Sequence, residues 1–161
     1  MNKRLLAALL GATVSLISAV HAETVTAAKP QHGEYRDWRV LGVSLRHEKN
    51  SMRAIVGNDA AILAARAGKV NPWPDGAVIT KIKWGERKHP NWEQASVPAE
   101  FTEAEAMVKD AKKYPETAGW GFGIWEGKVL KMLDQEKSAT CFACHTVVKD
   151  RDYVFTLPNL Q

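Results

Sequence analysis

Apolar and polar positions alternate along several short segments of this chain, and alternation with period two is typical of β-strands. Residues 38–46 (WRVLGVSLR) and 51–58 (SMRAIVGN) both have this pattern and are separated by a short polar stretch, which predicts a β-hairpin. In residues 119–127 (GWGFGIWEG), glycines alternate with larger side chains. A strand of that composition is expected to pack closely against a flat group.

Residues 77–84 (AVITKIKW) form the clearest predicted strand. Because successive side chains of a strand point to opposite faces, Ile79, Lys81 and Lys83 share one face and the residues between them lie on the other. Two lysines therefore stand on the same face, and the periodicity does not separate them.

Helical signals are few and short. Residues 58–68 (NDAAILAARAG) offer Asn58 or Asp59 as the N-cap of a helix and Gly68 as its stop. Residues 128–145 (KVLKMLDQEKSATCFACH) are interpreted as helical or turn-like.

The remaining segments are irregular or ambiguous. Residues 71–76 (NPWPDG) predict a turn, and residues 85–98 (GERKHPNWEQASVP) predict a loop. Residues 99–115 (AEFTEAEAMVKDAKKYP) favour a helix by their Ala and Glu content, whereas their alternation favours a strand. Together the segments predict an α+β fold, mainly an antiparallel β-sheet with short helices.

Residues 1–22 predict a secretory signal peptide, with basic Lys3 and Arg4, an apolar run, and a small residue, Ala22, at the cleavage point. The apolar run of about 15 residues is shorter than the roughly 20 that span a membrane, so no membrane anchor is expected after cleavage. Residues 23–161 are predicted to form a single domain. In a Gram-negative bacterium, export would place this domain in the periplasm.

The net charge of the mature chain is close to neutral. Cleavage removes two basic residues and leaves 20 basic and 18 acidic ones, a net charge of +2. So small an excess argues against a nucleic-acid-binding protein.

The only two cysteines lie in a C-x-x-C-H motif formed by Cys141, Cys144 and His145 near the C-terminus. A thioredoxin-type centre would need a βαβ pattern around the cysteines, and a structural zinc would need four ligands. In an exported protein the motif instead predicts one covalently attached haem c, with His145 as proximal iron ligand. A four-helix cytochrome c′ is disfavoured because the chain lacks four long amphipathic helices.

The function of such a haem depends on the sixth coordination site of its iron. The residues after His145 include no Met or His, which are the usual sixth ligands of electron-transfer cytochromes. None of the upstream candidates stands out: Met52, Met107, Met132, His32, His47 and His89. We therefore predict a five-coordinate iron that binds small ligands or performs chemistry, with a six-coordinate electron carrier as the alternative.

Three stretches resemble the cytochrome P-460 and cytochrome c′-beta family: NPWPDGAVITKIKW, MVKDAKKYPETAGWGFGIW and CFACHTVVKDRDYVFT. The resemblance runs from about Asp37 to Thr156. It implies a mostly antiparallel β fold, a homodimer, and a five-coordinate haem c with His145 as ligand. Small nitrogen oxides are the implied ligands or substrates.

The resemblance leaves two branches open. The P-460 branch oxidises hydroxylamine and nitric oxide and carries a lysine bonded to the haem, so a redox partner such as a cytochrome is implied. The c′-beta branch lacks this bond, covers the distal side with aromatic rings and binds nitric oxide. Aromatic side chains available for such a cover are Trp73, Phe101, Phe122 and Trp125.

The resemblance also suggests catalytic residues. Lys81 is the candidate for the lysine that bonds the haem, with Lys83 on the same face as the alternative. Glu136, five residues before Cys141, stands where the family can place a carboxylate that accepts protons from the substrate, and Asp134 is a weaker candidate.

Overall fold

The computed structural model describes residues 34–160, so the predicted signal peptide lies outside the described part of the chain. Six strands form one antiparallel sheet in sequence order: β1 (Arg39–Arg46), β2 (Ser51–Gly57), β3 (Val78–His89), β4 (Trp92–Lys109), β5 (Trp120–Glu126) and β6 (Val129–Met132). Two α-helices accompany them, α1 (Asp59–Arg66) and α2 (Gln135–His145). Short 3-10 turns span Tyr35–Asp37, His47–Lys49, Pro115–Thr117 and Thr146–Arg151.

The predicted α+β fold with a mainly antiparallel sheet is confirmed. Among the described residues, no helix combines the length and apolar character needed to cross a membrane.

Both faces of the sheet are covered. One face bears Ile79, Met107 and Phe122 and packs against α1 and the C-terminal segment; we call it the helix face. Its buried core comprises Leu41, Ile55, Ala61, Ile62, Ala64, Trp73, Ala77, Ile79, Met107, Trp120, Phe122 and Val154. The opposite face has its own core: Tyr35, Val56, Val78, Ala104, Ala106, Val108 and Trp125. Each large apolar side chain buried in this way contributes about 1.5–3 kcal/mol.

Helix α1 begins and ends where the sequence predicts. Asn58 is the N-cap: its side-chain oxygen accepts hydrogen bonds from the backbone N–H of Ala61 (3.1 Å) and of Val78 (3.0 Å). Its amide also donates to the Gly76 carbonyl (2.8 Å). Gly68, with φ +66°, occupies the left-handed conformation that commonly ends a helix.

The prediction of a loop over residues 85–98 is wrong, because β3 and β4 continue through it as a long hairpin. Strand β2 begins at Ser51, opposite Gly85. The part of β3 that follows Gly85 therefore pairs only with β4. Both faces of this extension meet solvent, and the segment therefore lacks the apolar alternation that marks a half-buried strand. Residues 99–109 of the ambiguous segment belong to β4, with Ala104 and Ala106 buried.

The start of the segment predicted as helical or turn-like is also a strand, β6, and only Gln135–His145 is helical. Four strand residues after a tight turn at Gly127 are too few for a periodic signal. The prediction for residues 119–127 is confirmed. A Cβ at Gly121 would lie 2.4 Å from the ring of Tyr114, which is the flat group against which β5 packs.

Candidate functional site

Helix α2 presents the C-x-x-C-H motif on the helix face of the sheet. The carboxylate of Asp134 caps the helix by accepting a hydrogen bond from the N–H of Lys137 (2.9 Å), which lowers the pKa of Asp134. Cys141 and His145 are four residues apart and Cys144 is three from Cys141, so the three side chains share one side of the helix. Both cysteines are free thiols, Cys141 half-buried and Cys144 exposed.

The surroundings of His145 orient its ring in the way typical of a metal-binding imidazole, with Nδ1 against a backbone carbonyl. Its Nδ1 lies 2.7 Å from the carbonyl oxygen of Tyr153, and the rings of Phe122 and Phe155 flank it edge-on at 5.5 and 5.1 Å. A proton on Nδ1 is donated to that carbonyl, which leaves the lone pair of Nε2 free for a metal. Burial lowers the pKa of His145 from its ordinary 6.5, although the Tyr153 carbonyl opposes this. The neutral form that ligates iron is therefore favoured.

A charged pair lies on the helix face, in the row next to Phe122, whose ring contacts His145. Ile55, Lys81, Glu105 and Ile124 stand opposite one another across β2, β3, β4 and β5. Lys81 Nζ forms an ion pair with Glu105 Oε2. Burial is the largest influence on both neighbouring groups of the motif: it raises the pKa of the Cys141 thiol and lowers the pKa of His145. The charge of Lys81 lowers both pKa values, and the charge of Glu105 raises both.

The structure thereby separates the two lysines that the alternation left equivalent. Lys83 lies in the next row of the helix face, opposite Arg53 and Glu103, and forms its ion pair with Glu103. Lys81 lies in the row next to Phe122, the residue that contacts His145, whereas Lys83 lies one row farther away.

Glu105 is a site residue that the sequence reasoning missed. Its Oε2 lies in the ion pair with Lys81 and is shielded from solvent, while the side chain as a whole is 36% exposed. An ionised carboxylate can accept a proton. The only signal was the alternation of Glu103 and Glu105 with buried alanines, in a segment that could equally be read as a helix.

Glu136 occupies a different place. It lies on the first turn of α2 and is exposed, nine residues before His145, which corresponds to about 13 Å along the helix axis. Its backbone carbonyl accepts a hydrogen bond from Thr140 Oγ1 (3.2 Å). The role predicted for its carboxylate stays a prediction.

The candidate sixth ligands are scattered. Met52 and Met132 lie on the opposite face, whereas Met107 is buried on the helix face, paired with Phe122. The side chain of His47 is 79% exposed, and His89 accepts a hydrogen bond within the β3–β4 turn. His32 lies outside the described residues. The five-coordinate iron stays a prediction.

The candidate aromatic residues also divide between the two faces. Trp73 and Phe122 are buried on the helix face, and the ring of Phe122 contacts His145. Trp125 lies on the opposite face, where its indole N–H donates to Thr80 Oγ1 (3.0 Å). Phe101 is 54% exposed.

A model of the family described as Cytochrome P460 matches residues 32–156. The match covers most of the chain, including the whole sheet, both helices and the C-x-x-C-H motif. A comparison with curated proteins finds no match.

Proposed function

The chain belongs to the cytochrome P460 family, which implies a haem cofactor, and from that premise we propose that it is an exported haem c protein that binds and oxidises hydroxylamine and nitric oxide. The observation that carries this proposal is the ion pair of Lys81 and Glu105 on the helix face, in the row next to Phe122, whose ring contacts His145. It would offer a carboxylate and an amine on the face of the sheet where the haem motif lies.

Three residues would hold the haem. The thiols of Cys141 and Cys144 would hold the porphyrin edge through thioether bonds, whose formation by addition to vinyl groups would need no oxidant. His145 would bind the iron through Nε2, since Nδ1 faces the Tyr153 carbonyl. When bound, the haem supplies an iron centre that takes small nitrogen-oxide ligands and accepts electrons.

Glu105 supplies what the iron lacks, a place for protons. Oxidation of hydroxylamine to nitric oxide releases three protons and three electrons per molecule. The electrons leave to an external one-electron acceptor, such as a partner cytochrome. A positioned carboxylate that accepts a proton typically contributes about 10²–10⁴ in rate. Glu105, half-buried on the helix face of the sheet, suits this role better than the exposed Glu136 on the first turn of α2.

Lys81 would form the additional bond to the macrocycle. Such a nitrogen–carbon bond would replace one N–H and one C–H bond and release two electrons, so it would require a two-electron oxidant of the peroxide class, reduced to water. The amine must first lose its ammonium proton, and Glu105 is in place to take it. The bond would alter the conjugation of the haem and thereby its reactivity.

A nitric-oxide binder without this bond is the second candidate, and the same ion pair favours it. A carboxylate stabilises the ammonium form of lysine, which is not a nucleophile. If the pair persists after the haem is attached, the iron retains an unmodified macrocycle.

The absorption spectrum of the ferrous protein, with mass spectrometry of haem peptides, tests the proposal. We expect a red-shifted Soret band and a porphyrin adduct on Lys81. Lys81→Arg should remove both, whereas the matched Lys83→Arg should keep them. An ordinary high-spin spectrum without adduct would identify the binder, and a six-coordinate low-spin spectrum would identify an electron carrier.

Hydroxylamine turnover in variants of Glu105, Glu103 and Glu136 tests which carboxylate accepts the proton. Glu105→Gln should lower turnover by about 10²-fold or more while nitric-oxide binding persists. Glu103→Gln, in the equivalent pair with Lys83, is the control and should match the wild type. If only Glu136→Gln loses turnover, Glu136 on α2 is the proton acceptor and Glu105 is not. Rapid turnover without any lysine adduct would refute the coupling of the two groups.

A further inference from the structure

A buried ion pair holds the segment that follows the haem motif. Lys109 Nζ lies 2.8 Å from both carboxylate oxygens of Asp152, and the two side chains are only 6% and 8% exposed. Lys109 also donates to the Ala118 carbonyl (3.0 Å) and lies over the ring of Trp120, 4.9 Å from its centroid. The backbone N–H of Trp73 donates to Asp152 Oδ2 (2.8 Å). We call this pair the Lys109–Asp152 clamp.

The clamp fixes an unusual turn. Asp152 and Tyr153 have φ of +48° and +63°, so two consecutive residues with side chains are left-handed. Such conformations persist where the surroundings hold them. The clamp holds the Asp152 side chain, and the indole N–H of Trp120 donates to its carbonyl (2.8 Å).

The turn carries the partner of the haem ligand. It brings the Tyr153 carbonyl to 2.7 Å from His145 Nδ1. Tyr153 directly follows Asp152, so the residue that contacts His145 is next in the chain to the residue that the clamp holds. The Tyr153 ring also packs on Phe142, one turn before the ligand on α2, with centroids 4.7 Å apart. A hydrogen bond to Nδ1 orients an imidazole and raises the basicity of its Nε2.

We propose that Lys109 is a positioning residue for the iron ligand: through Asp152 it holds the turn that keeps the Tyr153 carbonyl on His145 Nδ1. The proposal rests on the proposed role of His145 as proximal ligand. A buried ion pair is seldom needed for stability, because apolar residues of similar size often replace it without loss. Here the pair holds the turn whose Tyr153 carbonyl contacts His145, so it has a role besides packing.

Ferrous haem-loaded protein provides the test, through the iron–histidine stretching frequency in resonance Raman spectra and the midpoint potential. Lys109→Met and Asp152→Asn should lower the frequency and raise the potential, because a weaker carbonyl bond makes Nε2 a poorer donor. Asn keeps an acceptor for Trp73 and tolerates the left-handed conformation. Lys109→Arg should restore most of the wild-type signature, and exposed Lys112→Met should not depart from it.

Wild-type frequency and potential in both clamp variants would overturn the proposal. If neither clamp variant accumulates, Trp120→Phe replaces them, because it removes the donor to the Asp152 carbonyl. A lower iron–histidine frequency and a higher potential in Trp120→Phe would support the proposal, and wild-type values would overturn it. His145→Gly separates this failure from failure of the haem site. If imidazole restores the spectrum of that variant while the clamp variants match the wild type, only the positioning role is lost. If the glycine variant keeps the original spectrum, His145 is not the ligand.

Discussion

His145 shows how much one side chain at the motif depends on its surroundings. Its ring is bonded by Tyr153, flanked by Phe122 and Phe155, and partly buried, and burial favours the neutral imidazole. The cysteines differ, since Cys144 is exposed and Cys141 is half-buried beside charged groups. A porphyrin attached to both would cover a helix in which no residue is fully buried.

Replacing Cys141 and Cys144 together by Ser should abolish covalent haem, because the two thioethers anchor the porphyrin edge. Haem-stained denaturing electrophoresis measures this directly. Ala143→Ser, on the exposed side of the same turn, is the control and should keep its stain. Haem that survives denaturation in the double variant would mean that the Lys81 bond suffices alone or that the motif is misinterpreted.

Between elements, side-chain hydrogen bonds decide how neighbouring segments join. Asn58 links the start of α1 to the start of β3 through bonds to Ala61, Val78 and Gly76. Strand β3 then carries Lys81 to its place opposite Glu105. A polar residue at a helix start therefore also secures the strand that presents the candidate amine.

Asn58→Ala should destabilise the protein by about 1–3 kcal/mol, since it removes a helix cap and leaves the N–H of Val78 without its partner. Asn58→Asp keeps the acceptor and should lose less. Asp59→Ala, at the next, exposed position, should cost only a few tenths of a kcal/mol. Urea unfolding monitored by fluorescence gives these values. Equal losses in Asn58→Ala and Asp59→Ala would contradict the dual role of Asn58.

For the whole molecule, exposed apolar side chains occur on several elements, including an edge strand of the sheet. On the edge strand β1, Val40, Val43 and Leu45 are 50%, 79% and 42% exposed. Phe101 on β4 and Trp92 at the hairpin tip are 54% and 63% exposed. The outer edge of β1 accepts a hydrogen bond from the Asn159 N–H at Leu41 (3.0 Å). An edge strand bearing exposed apolar residues favours contact with another chain. The homodimer implied by the resemblance would be placed here.

Val43→Lys should shift the protein from dimer to monomer, because a charge at the centre of an apolar contact must be desolvated. Sedimentation velocity over a micromolar concentration series measures the shift. Val129→Lys is the matched control, since Val129 is 59% exposed on β6, the other edge of the sheet. A wild-type protein that stays monomeric throughout the series would exclude this dimer.

Local features of the chain were predictable from the sequence alone. The spacing of Cys141, Cys144 and His145 places them on one side of a helix whatever the rest of the fold does. The faces of residues 77–84, the cap at Asn58 and the close approach at Gly121 depend on backbone geometry within a few residues. Such features need no knowledge of distant segments.

Only the tertiary structure decided which distant residues meet. Alternation assigns a residue to a face of the sheet, but the register between strands assigns it to a row, and register put Glu105 opposite Lys81 and Glu103 opposite Lys83. The hairpin of residues 85–98 was hidden because both of its faces are solvated. The pairing of Lys109 with Asp152, 43 residues apart, depends on how the C-terminal turn closes over the sheet. Long-range pairs of this kind leave no periodic signal, because each partner alone is an ordinary charged residue.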